Sequence, residues 1–209
     1  MGARFFHASA HLQRQVFGKD LWASSFTFAL VRNPWARQVS MFHYLLSVAS
    51  CKRAVGVRNA ICELRKMPVS GLWLNDPSEA IRKFRIWIRE MFAIFPPGHK
   101  DAYLFGSNSH GNQRNPWHNA SQLSWLVDQS GKILVNRVIK LEELEAEWPM
   151  LQREICGLAN TPYSDNGPSR NPSSHAHYSE YYDDETSAIL RAHMAPDIHH
   201  FNYSFERPK

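Results

Sequence analysis

Cysteine is scarce: Cys51, Cys62 and Cys156 are the whole complement of a 209-residue chain. Three cysteines cannot make a disulfide framework, and no metal-type spacing links them. Cys51 and Cys62 are able to pair in an oxidising compartment, but small buried residues or free thiols are the plainer reading. No stretch approaches the roughly 18 apolar residues of a membrane span. The opening MGARFFHASAH has no apolar run of the secretory kind. Met1-Gly2 does not continue as a myristoylation signal, because Phe6 stands where Ser or Thr is required. Repeats, low-complexity tracts, a dense basic stripe and nucleic-acid motifs are all absent, so DNA or RNA binding is not expected.

What is present suits a folded domain. Seven Trp, seven Tyr and twelve Phe supply large apolar side chains for a core. A charged fraction of 21% with spread-out aromatics argues against disorder. The length fits one domain over residues 1–209. The net charge of +5 is scattered in short clusters such as Lys52-Arg53 and Arg82-Lys83 with Arg85. That excess suits anionic ligands such as nucleotides or charged sugars, and equally an ordinary basic surface.

Residues 12–23 read as a short helix broken near Gly18. Phe26–Arg32 (FTFALVR) reads as a buried strand between Ser24-Ser25 and Asn33-Pro34, with a buried helix as the alternative for so short a run. A helix is expected at once, with Asn33 as its cap and Pro34 in its first turn. Asp76-Pro77-Ser78-Glu79 predicts a second helix start with a capping-box Glu, and Pro96-Pro97-Gly98 its stop. Residues 98–118 read as a long loop. A short helix capped by Asn119 or Ser121 should end near Asp128, and the DQSGK turn should lead to a strand over Ile133–Leu141. Pro149 marks a helix start, and residues 160–174 a polar loop. Asp183 or Asp184 should cap a last helix closed by Pro196. Strands alternating with helices predict an α/β layer architecture.

One constellation carries chemistry. An apolar strand that ends in Arg32 and turns into a helix at Pro34 is built to receive an anion. Arg32 offers a planar fork for phosphate oxygens, and Ser40, two turns on, a hydroxyl. The alternative is a structural ion pair for Arg32 and a plain surface position for Ser40.

The segment FALVRNPWARQVSMFHYLL resembles the 3′-phosphate-binding segment of carbohydrate-type sulfotransferases. Those enzymes use 3′-phosphoadenosine 5′-phosphosulfate, and in their pattern an Arg at the strand end and a Ser eight residues later hold the 3′-phosphate. Arg32 and Ser40 stand at that spacing, and Asn33, Pro34 and Arg37 match as well. HASA at 7–10 with GKDLW at 18–22 is similar to the family's lead-in. SQLSWLVDQSGKILVNRVIKLEEL at 121–144 and NPSSHAHYSEYYDDET with DIHHFNYSFE resemble its later blocks.

The resemblance implies a P-loop-type sulfotransferase fold, a parallel sheet flanked by helices. It is expected here without the family's first strand and 5′-phosphosulfate loop, a Lys followed by Gly, Thr and Ser. Gly18-Lys19-Asp20 and Ser130-Gly131-Lys132 do not replace that loop, since neither follows a buried strand with Ser or Thr after the Lys. The implied activity is sulfuryl transfer to a carbohydrate hydroxyl, with the phosphosulfate nucleotide as co-substrate and no metal. The alternatives are a nucleotide-binding relic or fragment without transfer and, more remotely, a nucleotide kinase-like enzyme. His7 is the general base the resemblance implies, with an exposed or structural His as the alternative. His175 and His177 read as solvated loop residues, Tyr178, Tyr181 and Tyr182 as packing, and Arg53, Lys83 and Arg85 as solvated or sugar-facing charges. Asn119-Ala120-Ser121 and Asn202-Tyr203-Ser204 match the glycosylation pattern. The implied location is the Golgi lumen for a eukaryotic relative and the cytoplasm otherwise.

Overall fold

The computed structural model describes residues 9–50, 76–93, 121–156 and 175–207, and every side chain among them except those of 44–50, 91 and 156. It is a mixed helical fold with a small parallel sheet of two strands. The chain divides into two compact units. The first draws on Met1–Asn33 and Gln122–Arg170, the second on Pro34–Ser121 and Asn171–Lys209.

In the first unit, α1 (Ala10–Phe17) is capped by Ser9, whose hydroxyl accepts the Leu12 N–H at 3.2 Å. Gly18 then breaks the helix with a φ of 84°, a left-handed conformation that glycine adopts without a Cβ clash. A second short helix, α2 (Lys19–Ser24), follows, and Trp22 Nε1 donates to the Leu134 carbonyl at 3.0 Å. Strand β1 (Phe28–Val31) pairs in parallel with β2 (Arg137–Lys140), in register from Phe28 with Arg137 to Val31 with Lys140. Val31 is buried, yet Phe28 and Leu30 are exposed, so the expected fully buried strand has one open side. The sheet has only this one pairing among the described residues, and the exposed Phe28 and Leu30 share one face of β1 while Val31 lies on the other.

Other expectations for this unit need correction. Residues 123–125 form a single 3₁₀ turn, not a helix reaching Asp128. The strand expected over 133–141 shortens to β2, with Ile133 in an isolated bridge to Val127. The turn between them is as expected: the Asp128 carboxylate accepts the Ser130 N–H and hydroxyl and the Lys132 N–H, and Gly131 has a φ of 84°. Helix α5 (Leu144–Cys156; α3, Pro34–Ser50, and α4, Pro77–Ala93, belong to the second unit) holds Pro149 in its interior, where a helix start was expected. Two features span the defect: Leu151 is fully buried, and Arg137 binds Glu147 before the proline and Glu154 after it.

The second unit has the larger apolar core. Helix α3 (Pro34–Ser50) presents Trp35, Val39 and Phe42 to it, and α4 (Pro77–Ala93) presents Phe84, Trp87, Ile88 and Phe92. Asp76 caps α4 by accepting the Ser78 N–H at 3.0 Å. Glu79 does not close the expected capping box, because both its oxygens are taken by Arg82 at 2.7 Å. Short helix α6 (Tyr178–Tyr181) and α7 (Asp184–His193) complete the core with Tyr181, Tyr182 and Leu190. Asp183 caps α7 in a full capping box with Thr186. Pro196, expected to close that helix, opens a further one, α8 (Ala195–His200).

Candidate functional site

Arg32 directly follows β1, where the sequence placed it. Its main chain is held by a side chain that sequence reasoning missed. The Gln122 amide accepts the Arg32 N–H through Oε1 at 2.9 Å and donates Nε2–H to the Arg32 carbonyl at 2.7 Å. One residue on, the Asn33 N–H donates to Glu142 Oε1 at 2.7 Å. The strand end is therefore fixed by two side chains, Gln122 from the segment before β2 and Glu142 from the segment after it.

The Arg32 guanidinium is half-buried and makes no hydrogen bond or ion pair among the described residues. The structural ion pair weighed as its alternative role is not found there. Burial lowers its pKa from the ordinary arginine value, and the Glu142 carboxylate opposes that in part. A desolvated guanidinium without a carboxylate on its fork is a cation left to pair with an outside anion. Arg137 of the same unit shows the contrast, since its fork is filled by Glu147 and Glu154.

Ser40 belongs to the second unit, two turns into α3, and is half-buried. Its hydroxyl has no hydrogen-bond partner among the described residues, although a helical serine commonly bonds back to the preceding turn. Arg37 lies one turn earlier. Burial lowers its pKa, while the Asp197 carboxylate opposes the shift. Asp197 is itself fully buried and accepts the Ser121 hydroxyl. Ser121, expected as a possible helix cap, serves this buried carboxylate instead.

One turn beyond Ser40 stands His43, which sequence reasoning also passed over. Its Nε2 lies 2.9 Å from the Tyr181 hydroxyl, and its ring stacks on His175 with centroids 5.0 Å apart. Burial, with His175 adding repulsion, pulls its pKa down to about 4. His175 is thus a stacked, half-buried residue, not the solvated one expected, whereas His177 is exposed and caps α6. Tyr181 and Tyr182 pack as expected, and the Tyr182 hydroxyl donates to the Trp35 carbonyl at 3.0 Å.

No family model, no curated protein and no solved structure matches the chain.

His7, Arg53 and Asn119 lie outside the described residues. Lys83 sits 3.6 Å from Glu79, and Arg85 donates to the Tyr181 carbonyl at 3.1 Å with Asp183 at 3.7 Å. Both cations have partners within the second unit. Asn202 is exposed, with a φ of 52° in a turn. No described helix is long and apolar enough to cross a membrane.

Proposed function

We propose that the chain binds the 3′-phosphate of an adenosine nucleotide through Arg32 and Ser40, within a sulfotransferase-type α/β fold. The observation that carries this reading is the half-buried Arg32 guanidinium, unpaired among the described residues, at the end of a parallel strand. A phosphate fits its fork in two parallel hydrogen bonds, which a surface lysine would not provide. The motif likeness adds the Ser40 hydroxyl as a further donor. Ligands of open α/β sheets sit beyond the C-terminal ends of the strands, which is where Arg32 stands.

The motif likeness extends this to a reaction. The co-substrate is 3′-phosphoadenosine 5′-phosphosulfate and the acceptor a carbohydrate hydroxyl. The bond from sulfur to the bridging phosphate oxygen breaks as one to the acceptor oxygen forms. The hydroxyl proton passes to a base, for which the likeness offers His7, and 3′-phosphoadenosine 5′-phosphate departs. Positioning and electrostatic stabilisation carry such a transfer.

Calorimetry with 3′-phosphoadenosine 5′-phosphate, paired with a sulfate-transfer assay on a panel of glycans, tests both levels. Arg32→Ala should weaken nucleotide binding about 100-fold or more, since each hydrogen bond to a charged group contributes about 1.5–3 kcal/mol. Equal affinity of parent and variant would end the reading. Tight binding without transfer to any glycan would favour a nucleotide-binding relic over an enzyme.

A further inference from the structure

Alternate residues of a strand turn their N–H and C=O groups to opposite edges. The Thr27 carbonyl accepts the Asn136 and Arg137 N–H groups at 2.9 and 3.2 Å, so Thr27, Ala29 and Val31 face β2. Phe28, Leu30 and Arg32 therefore face the other edge of β1. No second strand pairs there among the described residues. At Arg32 the edge is nevertheless closed, because the Gln122 amide makes both bonds that a neighbouring strand would make.

We propose that Gln122 is the positioning residue of the anion site, standing in for a neighbouring strand at Arg32 and fixing the backbone from which the guanidinium projects. This rests on the 3′-phosphate reading above. A carboxamide suits this place: the N–H needs an acceptor and the C=O needs a donor, and one planar group supplies both without a charge. The Gln122 main chain is itself held, since it opens the 3₁₀ turn Leu123–Trp125, where the Trp125 N–H bonds the Gln122 main-chain carbonyl at 3.1 Å and the Leu126 N–H bonds the Leu123 carbonyl at 2.9 Å. A cation anchored in this way loses less freedom on meeting its ligand, which raises affinity without any new contact.

The test compares two probes, 3′-phosphoadenosine 5′-phosphate and adenosine 5′-monophosphate, which lacks the 3′-phosphate. Gln122→Met removes both hydrogen bonds at similar volume and no change of charge. It should lower the preference for the 3′-phosphorylated probe about tenfold, leave affinity for the monophosphate unchanged, and add nothing in an Arg32→Ala background. A residue that served stability alone would weaken both probes alike. Gln122→Asn, too short to span both groups, should fall between parent and Gln122→Met, and it carries the test if Gln122→Met does not fold. A parental preference in both Gln122 variants, with the preference lost in Arg32→Ala, overturns this inference alone. A parental preference in Arg32→Ala overturns the 3′-phosphate reading and this inference with it.

Discussion

Protonating His43 should destabilise the chain, and the size of the effect follows from its surroundings. The imidazole Nε2 is 2.9 Å from the Tyr181 hydroxyl, the ring stacks on His175, and Phe42 and Tyr181 meet it edge-on at 5.6 and 5.4 Å. No carboxylate pairs with it among the described residues. Burial first, then the neighbouring His175, lowers its pKa to about 4. An unfolded histidine takes its proton near 6.5, so between those values the unfolded state binds the extra proton. Stability therefore falls as pH falls through this window and levels off below about 4. The fall from 6.5 to about 4 corresponds to at most about 3.4 kcal/mol, and partial solvent access cuts that to about 1.5–2 kcal/mol. Urea unfolding of the parent and of His43→Phe at pH 7 and pH 4 isolates the contribution. The parent should lose about 1.5–2 kcal/mol more than the variant. Equal losses, or a His43 ring that titrates near 6.5 by NMR, would refute the reasoning.

Two further perturbations probe the helices. Pro149 occupies the interior of α5, where a proline costs about 3 kcal/mol. Pro149→Ala should stabilise the chain by about 1–2 kcal/mol, after allowing for the extra freedom of the unfolded chain and relaxation around the proline; an unchanged urea midpoint would count against a helical Pro149. Asp183 caps α7 through Thr186 and meets Arg89 at 2.8 Å. Asp183→Ala should cost about 1–2 kcal/mol and Asp183→Asn under about 1 kcal/mol, because asparagine keeps the cap and loses only the exposed ion pairs. Burial alone would raise the Asp183 pKa, but Thr186, Arg89 and Arg85 hold it below the usual carboxylate range. Its contribution is thus present at neutral pH and lost as pH falls through that lowered value. Equal costs for the two variants in urea unfolding would contradict the capping role.

Local signals carried much of the fold. Gly18 ends a helix because its left-handed φ suits a residue without Cβ, and Asp76 and Asp183 announce helix starts through side-chain oxygens that need no distant partner. Signals that depend on competition were less legible. Glu79 has the capping-box position, but Arg82 one turn away takes its carboxylate. Pro149 has the mark of a helix start, yet buried Leu151 and the ion pairs of Arg137 keep α5 continuous across it. Arg32 was visible as the polar end of an apolar run. Gln122 and Glu142 were not, because their role is to bond main-chain groups 90 and 109 residues away, and no local pattern marks such a contact. His43 was hidden for a similar reason, since its partners His175 and Tyr181 come from the far end of the chain.

The central claim is that Arg32 receives a nucleotide 3′-phosphate. Calorimetric titration of the parent chain and Arg32→Ala with 3′-phosphoadenosine 5′-phosphate and adenosine 5′-monophosphate, at one fixed ionic strength, tests it most directly. The account predicts that the parent prefers the 3′-phosphorylated nucleotide about 100-fold or more and that Arg32→Ala loses the preference. A parent that binds the two nucleotides alike, or a variant that keeps the preference, would contradict it.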